Sequence, residues 1–206
     1  KLRVEMRSVI KRIQNDVGIT TVYVTHDQEE AMAVSDRIAV MDQGVIQHIG
    51  TPKDIYQRPA NVFVATFIGR TNMLDGQLTC EDGECVLTLP GGYAVALDTV
   101  AADARKSQDV RVSVRPEEFI VSRQSGRGMS AVVTDSVFLG LNTHYTLTLA
   151  TGEEVETIQE SSIDSIIEKG SAVSLTVKTE KINVFSADGR TNLLGGVRND
   201  LEERAL

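Results

Sequence analysis

The sequence has no tryptophan, and its aromatic fraction is only 4%. Any core must therefore be aliphatic, and the stacking platforms that oligonucleotide-binding modules use are scarce. Positive charge is also short: 21 Lys and Arg stand against 29 Asp and Glu, a formal net charge of −8, with no basic cluster. A phosphate backbone would be repelled by such a surface, so no nucleic-acid partner is expected. No apolar run approaches the roughly 20 residues needed to cross a bilayer, and no signal peptide is recognisable. The chain starts at Lys1, inside a helical pattern, and the expectation is a fragment or a processed start. There are two cysteines, Cys80 and Cys85, in "CEDGEC". A structural zinc needs further ligands and none is nearby, so no metal is expected. The expectation is a pair of reduced thiols flanking a charged hairpin turn.

What is present is ordinary globular material, 41% apolar and 24% charged over 206 residues, enough for one large or two small domains. Leu2, Met6, Val9, Ile10, Ile13 and Val17 recur at steps of three and four and mark one helix face, which Gly18 ends. "ITTVYVT", Ile19 to Thr25, is β-branched and apolar in nearly every position, the pattern of a strand buried on both sides in a parallel sheet. A second helix follows His26, with Asp27 as its cap and Glu30 at capping-box spacing. "RIAVMDQGVIQHIG" predicts two strands around Asp42-Gln43-Gly44, "TPKDIYQRP" a short helix, and "NVFVATFIG" another helical segment. This alternation belongs to α/β architecture over residues 1–69, with too few elements to close such a core alone.

From about Arg70 the period becomes two, and short strands alternate with turns, an all-β barrel or sandwich signal. "VRVSVRPEEFIV" from Val110 matches "VSLTVKTEKINV" from Val173 at an offset of 63 residues. "VLTLPGGYAV" from Val86 resembles "TLTLATGEEV" from Thr146 at an offset of 60. Two copies of one β module, about 70–125 and 126–189, account for both matches, leaving 190–206 as a C-terminal tail.

His26 stands where the expected strand ends and a helix begins. Ligands bind at the carboxyl ends of strands in open α/β sheets, and an imidazole there can bond a phosphate oxygen or an attacking water. The alternative is that His26 only caps or packs the helix end. Asp27, Glu29 and Glu30 crowd the same turn with negative charge, which suits capping rather than phosphate binding. His48 and His144 lie in strand-like segments without companion ligands and are read as structural or solvated.

The stretch "VYVTHDQEEAMAVSDRIAVMDQGVIQHIGTPKDIYQRPANVFVATFIG" resembles the last third of the ATP-binding subunit of ABC importers, in the branch that takes up polyamines, ferric iron, sugars or sulfate. The resemblance covers Lys1 to about Gly69 without a gap. It implies that His26 is the switch histidine, which contacts the γ-phosphate of ATP and helps to place the hydrolytic water. It also implies that the first helix follows the loop at the ATPase dimer interface. The phosphate loop, the signature segment and the strand ending in Asp-Glu are missing from this sequence, so the chain alone is expected neither to hydrolyse ATP nor to bind it usefully.

The β half resembles the transport-associated OB pair, TOBE, of the same subunits. "VSVRPEEF" matches its Arg-Pro-Glu element and "VFLGLNTHYTLTL" its following hairpin. Arg115 and Glu117 could hold a small-anion effector, or could form a strand-end salt bridge. The resemblance implies ATP and Mg²⁺ as cofactors of the parent protein. It implies a homodimer, permease subunits and, indirectly, an extracytoplasmic solute-binding protein as partners. The expected location is peripheral, on the cytoplasmic face of the bacterial inner membrane. The competing reading is a stand-alone small-anion or metabolite-binding regulator. Uncovered strand edges in residues 1–69 further predict a dimeric or strand-swapped assembly of this chain.

Overall fold

The first helix, α1 (Leu2–Val17), ends at Gly18, whose N–H donates to Gln14 O at 3.0 Å. The φ of +66° at Gly18 is the left-handed conformation that a residue without a Cβ adopts freely. The computed structural model describes residues 2–124, 126, 128–161 and 166–201. The next segment departs from expectation. Ile19–Thr25 forms no ladder with any described strand, and Val22 and Val24 are 87% and 90% exposed. The reason is physical: β-branched residues favour extended backbone, but a strand also needs a neighbour for its N–H and C=O groups.

Helix α2 (Gln28–Val34) begins at Asp27, which has extended backbone and accepts the Glu30 N–H at 3.0 Å. Strands β1 (Ile38–Asp42) and β2 (Val45–Gly50) pair antiparallel around Gln43 and Gly44, both at positive φ as a tight hairpin turn requires. Thr51 caps α3 (Pro52–Gln57) and Asn61 caps α4 (Val62–Phe67), each accepting a first-turn N–H. Val40, Ile55, Val64 and Ile68 form a small core, with Met32, Ile38 and Phe63 packed against it. Helices and strands alternate here as the sequence pattern predicts, and the only sheet among the described residues of this unit is the antiparallel β1–β2 hairpin, which Ile19–Thr25 does not join.

By its contacts the chain divides into two units, Lys1–Gly69 with Gly196–Leu206, and Arg70–Gly195. The tail expected at 190–206 is therefore divided. Leu193 and Leu194 are buried in the β unit, and the chain from Gly196 returns to the first unit.

The β unit holds β3 (Asn72–Glu81), β4 (Glu84–Leu89), β5 (Tyr93–Ala96), β6 (Gln108–Val114), β7 (Phe119–Ser122), β8 (Met129–Phe138), β9 (Asn142–Leu149), β10 (Glu154–Glu160), β11 (Ala172–Val177) and β12 (Asn183–Ser186). They form two five-stranded sheets of order β12-β6-β3-β4-β5 and β10-β9-β8-β11-β7. The order is the same in both copies, except that each copy gives its last strand to the other's sheet. Ser113 pairs with Asn183 on one side, and Val177 pairs with Phe119 on the other. The stretches matched at an offset of 63 lie on β6–β7 and β11–β12. Period-two alternation sends Val110, Val112 and Val114, then Val173, Leu175 and Val177, into one shared aliphatic core.

The cysteines are not free. Cys80 and Cys85 form a disulfide, which corrects the expectation of reduced thiols. Asp82 and Gly83, both at positive φ, close a two-residue turn between β3 and β4. That turn sets Cys80 directly opposite Cys85, with Cα atoms 4.2 Å apart. Arg105 reaches over the turn and donates to Gly83 O at 3.1 Å.

Candidate functional site

His26 is the first of the residues singled out by sequence. It lies between the unpaired segment and the first turn of α2, and it is exposed. The turn around it is held by others. Thr25 Oγ1 donates to Glu30 Oε2 at 2.8 Å and accepts the Asp27 N–H at 3.0 Å. Arg7, on α1, bonds both carboxylate oxygens of Asp27 at 3.4 Å and Glu29 Oε2 at 3.3 Å. The acids that crowd the histidine in the sequence are thus engaged by a helix cap, a hydroxyl and a guanidinium. The Glu30 carboxylate, bonded to the Tyr23 phenol, pushes that phenol above its ordinary pKa, with desolvation acting the same way.

Two supports were invisible in the sequence pattern. Arg7 is one polar residue among several on α1, and nothing in its spacing marks it as the partner of Asp27. Gln28, next to the cap, donates to Phe67 O, and its Oε1 accepts the Gly69 N–H at 2.7 Å. It therefore ties the head of α2 to the end of α4. Its place inside "THDQEEAM" was the one available signal.

Arg115 and Glu117 stand apart from this turn, in the β unit. Arg115 is 7% exposed at the end of β6, and its Nη1 donates to Arg70 O at 3.1 Å. Glu117 is half-buried in the 3-10 turn before β7, where its carbonyl accepts Lys178 Nζ at 2.8 Å. Lys178 also pairs with Glu118 at 3.3 Å. These charges lock the crossing where the two copies exchange strands.

The β unit also carries an open cavity of about 190 Å³, lined in part by Arg123, Thr143, Tyr145, Gln159 and Glu160. None of the residues expected to be functional lines it. His48 is fully buried and doubly hydrogen-bonded, a structural histidine. His144 pairs with Ile158 and Val137 within its sheet. No group of three or more metal-ligating side chains occurs among the described residues. No described helix is long and apolar enough to cross a membrane.

Comparison with known proteins adds sequence relatives to this geometry. The TOBE domain family matches residues 112–185. The chain is 60% identical over 201 residues to the Fe(3+) ions import ATP-binding protein FbpC of Fusobacterium nucleatum, covering 97% of this chain and 53% of that protein. It is 40% identical over 190 residues to the spermidine/putrescine import ATP-binding protein PotA 1 of Pseudomonas aeruginosa, covering 90% and 50%. A solved structure of the cytoplasmic molybdate-binding protein ModG aligns with a TM-score of 0.47 at 18% identity, over 56% of this chain and 95% of that one, a likeness too low to say anything of a ligand. The chain spans about half the length of the curated relatives it matches.

Proposed function

Because the chain belongs with the ATP-binding subunits of ABC importers and carries their TOBE domain, we propose that it works as the C-terminal part of such a subunit. In this reading His26 is the switch histidine. The observation that carries it is the 60% identity across 97% of the chain, which includes the Thr25-His26-Asp27 turn.

The residues here fit one corner of a nucleotide site. His26 is exposed, and its acidic neighbours are already bound by Arg7 and Thr25. An imidazole so placed can bond a terminal phosphate oxygen and orient a water without a free carboxylate opposing it. Bound ATP supplies the phosphoryl group and Mg²⁺ the charge neutralisation.

The parent subunit would act as a homodimer on permease subunits at the cytoplasmic face of the bacterial inner membrane, with an extracytoplasmic solute-binding protein upstream. Ferric iron is the favoured cargo over polyamines, because identity to the iron importer's subunit is 60% against 40% for the polyamine one. The β unit would serve dimerisation and regulation. The alternative of a stand-alone anion sensor centred on Arg115 and Glu117 has less support, since Arg115 is buried against backbone.

The test is ATP turnover by the intact subunit. His26→Ala should lower kcat on the order of 10²–10⁴-fold while nucleotide binding persists. Turnover equal to that of the parent would overturn the role given to His26.

A further inference from the structure

The C-terminal chain leaves the β unit after Gly195 and returns to the first unit. Gly195, still in the β unit, donates its N–H to Thr99 O at 2.7 Å. Gly196 and Val197 follow, and the next residues bind along β2. Arg198 O accepts His48 Nε2–H at 2.7 Å, while the Ala60 N–H donates to Nδ1 of the same ring at 3.3 Å. Asn199 Oδ1 accepts the Ile49 N–H at 3.0 Å and the Leu201 N–H at 3.3 Å. The Asp200 N–H donates to Ile49 O at 2.9 Å. Its carboxylate pairs with Arg37, in the short turn between α2 and β1.

The approach is close at Gly50. A Cβ there would meet Arg198 O and His48 Nε2 at 3.4 Å. The tail thus satisfies both polar groups of Ile49 and the Nε2–H of the buried His48, groups that burial would otherwise leave costly. The chain thus passes between the units twice, at Gly69–Arg70 and at Gly195–Gly196.

We propose that Arg198–Leu201 is a strap, and that Arg37, Asn199 and Asp200 are positioning residues. The strap fixes β2 and the turn behind α2, and so holds the helix whose head carries His26 in one place relative to its own unit. The structural part of this proposal stands on the contacts alone; its effect on turnover rests on the function proposed above.

The intact subunit separates the two. In an Asn199→Ala, Asp200→Ala double variant, amide exchange at Ile49 and along α2 should quicken roughly tenfold. ATP turnover should show kcat lowered by roughly threefold to tenfold with KM for ATP unchanged. Exchanging the charges, Arg37→Asp with Asp200→Arg, should keep kcat closer to the parent value than either single change does. Unaltered exchange at Ile49 would overturn the strap. Faster exchange at Ile49 with α2 and kcat unaffected would overturn its positioning role. Absence of ATP turnover in the parent protein would count against the functional reading instead, and the exchange result would still decide the strap.

Discussion

Two β-branched runs, one in each unit, come to opposite ends. Val110–Val114 lies in β6 between β3 and β12, and Val112 and Val114 are fully buried. Ile19–Thr25 is as rich in valine and threonine, yet it joins no strand among the described residues and leaves Val22 and Val24 in solvent. Local preference is similar in the two runs. What differs is company: β6 has a neighbour on each edge and a facing layer beyond, so burial and hydrogen bonding reinforce each other. A strand is a property of the sheet that receives it.

The sharpest way to test this contrast is to shorten one side chain in each run's setting. Leu175→Ala, on the facing β11 where Leu175 is 0% exposed, should cost about 2–5 kcal/mol in denaturant unfolding followed by circular dichroism. Val24→Ala should change the same midpoint by no more than about 0.5 kcal/mol. Equal effects would mean that the exposed run is covered after all.

A smaller effect is expected at the β3–β4 turn. The Cys80–Cys85 link closes a loop with a sequence separation of 5, so changing both residues to serine should cost about 2 kcal/mol on the loop-entropy scale. Thermal unfolding of the serine pair against the oxidised parent measures it. No difference would show that the Asp82-Gly83 turn and Arg105 already hold the hairpin. A smaller change again than at the hairpin is expected at the head of α2. Asp27→Ala removes the cap to Glu30 and the partner of Arg7, and should loosen that helix by about 1 kcal/mol, read as faster amide exchange at Glu30 and Ala31.

These elements also mark how far the sequence could be read. The turns were legible because their chemistry is local. Asp42-Gln43-Gly44, Thr51-Pro52 and the Asp27 cap each act within four residues. The β unit was legible as strands and as a repeat, because alternation and self-similarity survive in one dimension. The exchange of β7 and β12 between copies was not, since nothing in either strand says whose sheet it joins. The disulfide depended on a register that puts Cys80 opposite Cys85, and the strap depended on a tail meeting β2 about 150 residues away in sequence. At the candidate site, His26 is marked by its motif alone. Arg7 is not marked, because an arginine on a helix surface has no signature until its carboxylate partners are in place.

The β unit closes its own core, whereas residues 19–25 join no strand among the described residues. Residue-resolved amide exchange on this chain tests it directly. The prediction is strong protection at Val112, Leu147 and Leu175, with exchange at Val22 and Val24 close to that of an unstructured peptide. Protection of Val22 and Val24 comparable to that of the β-unit core would contradict it.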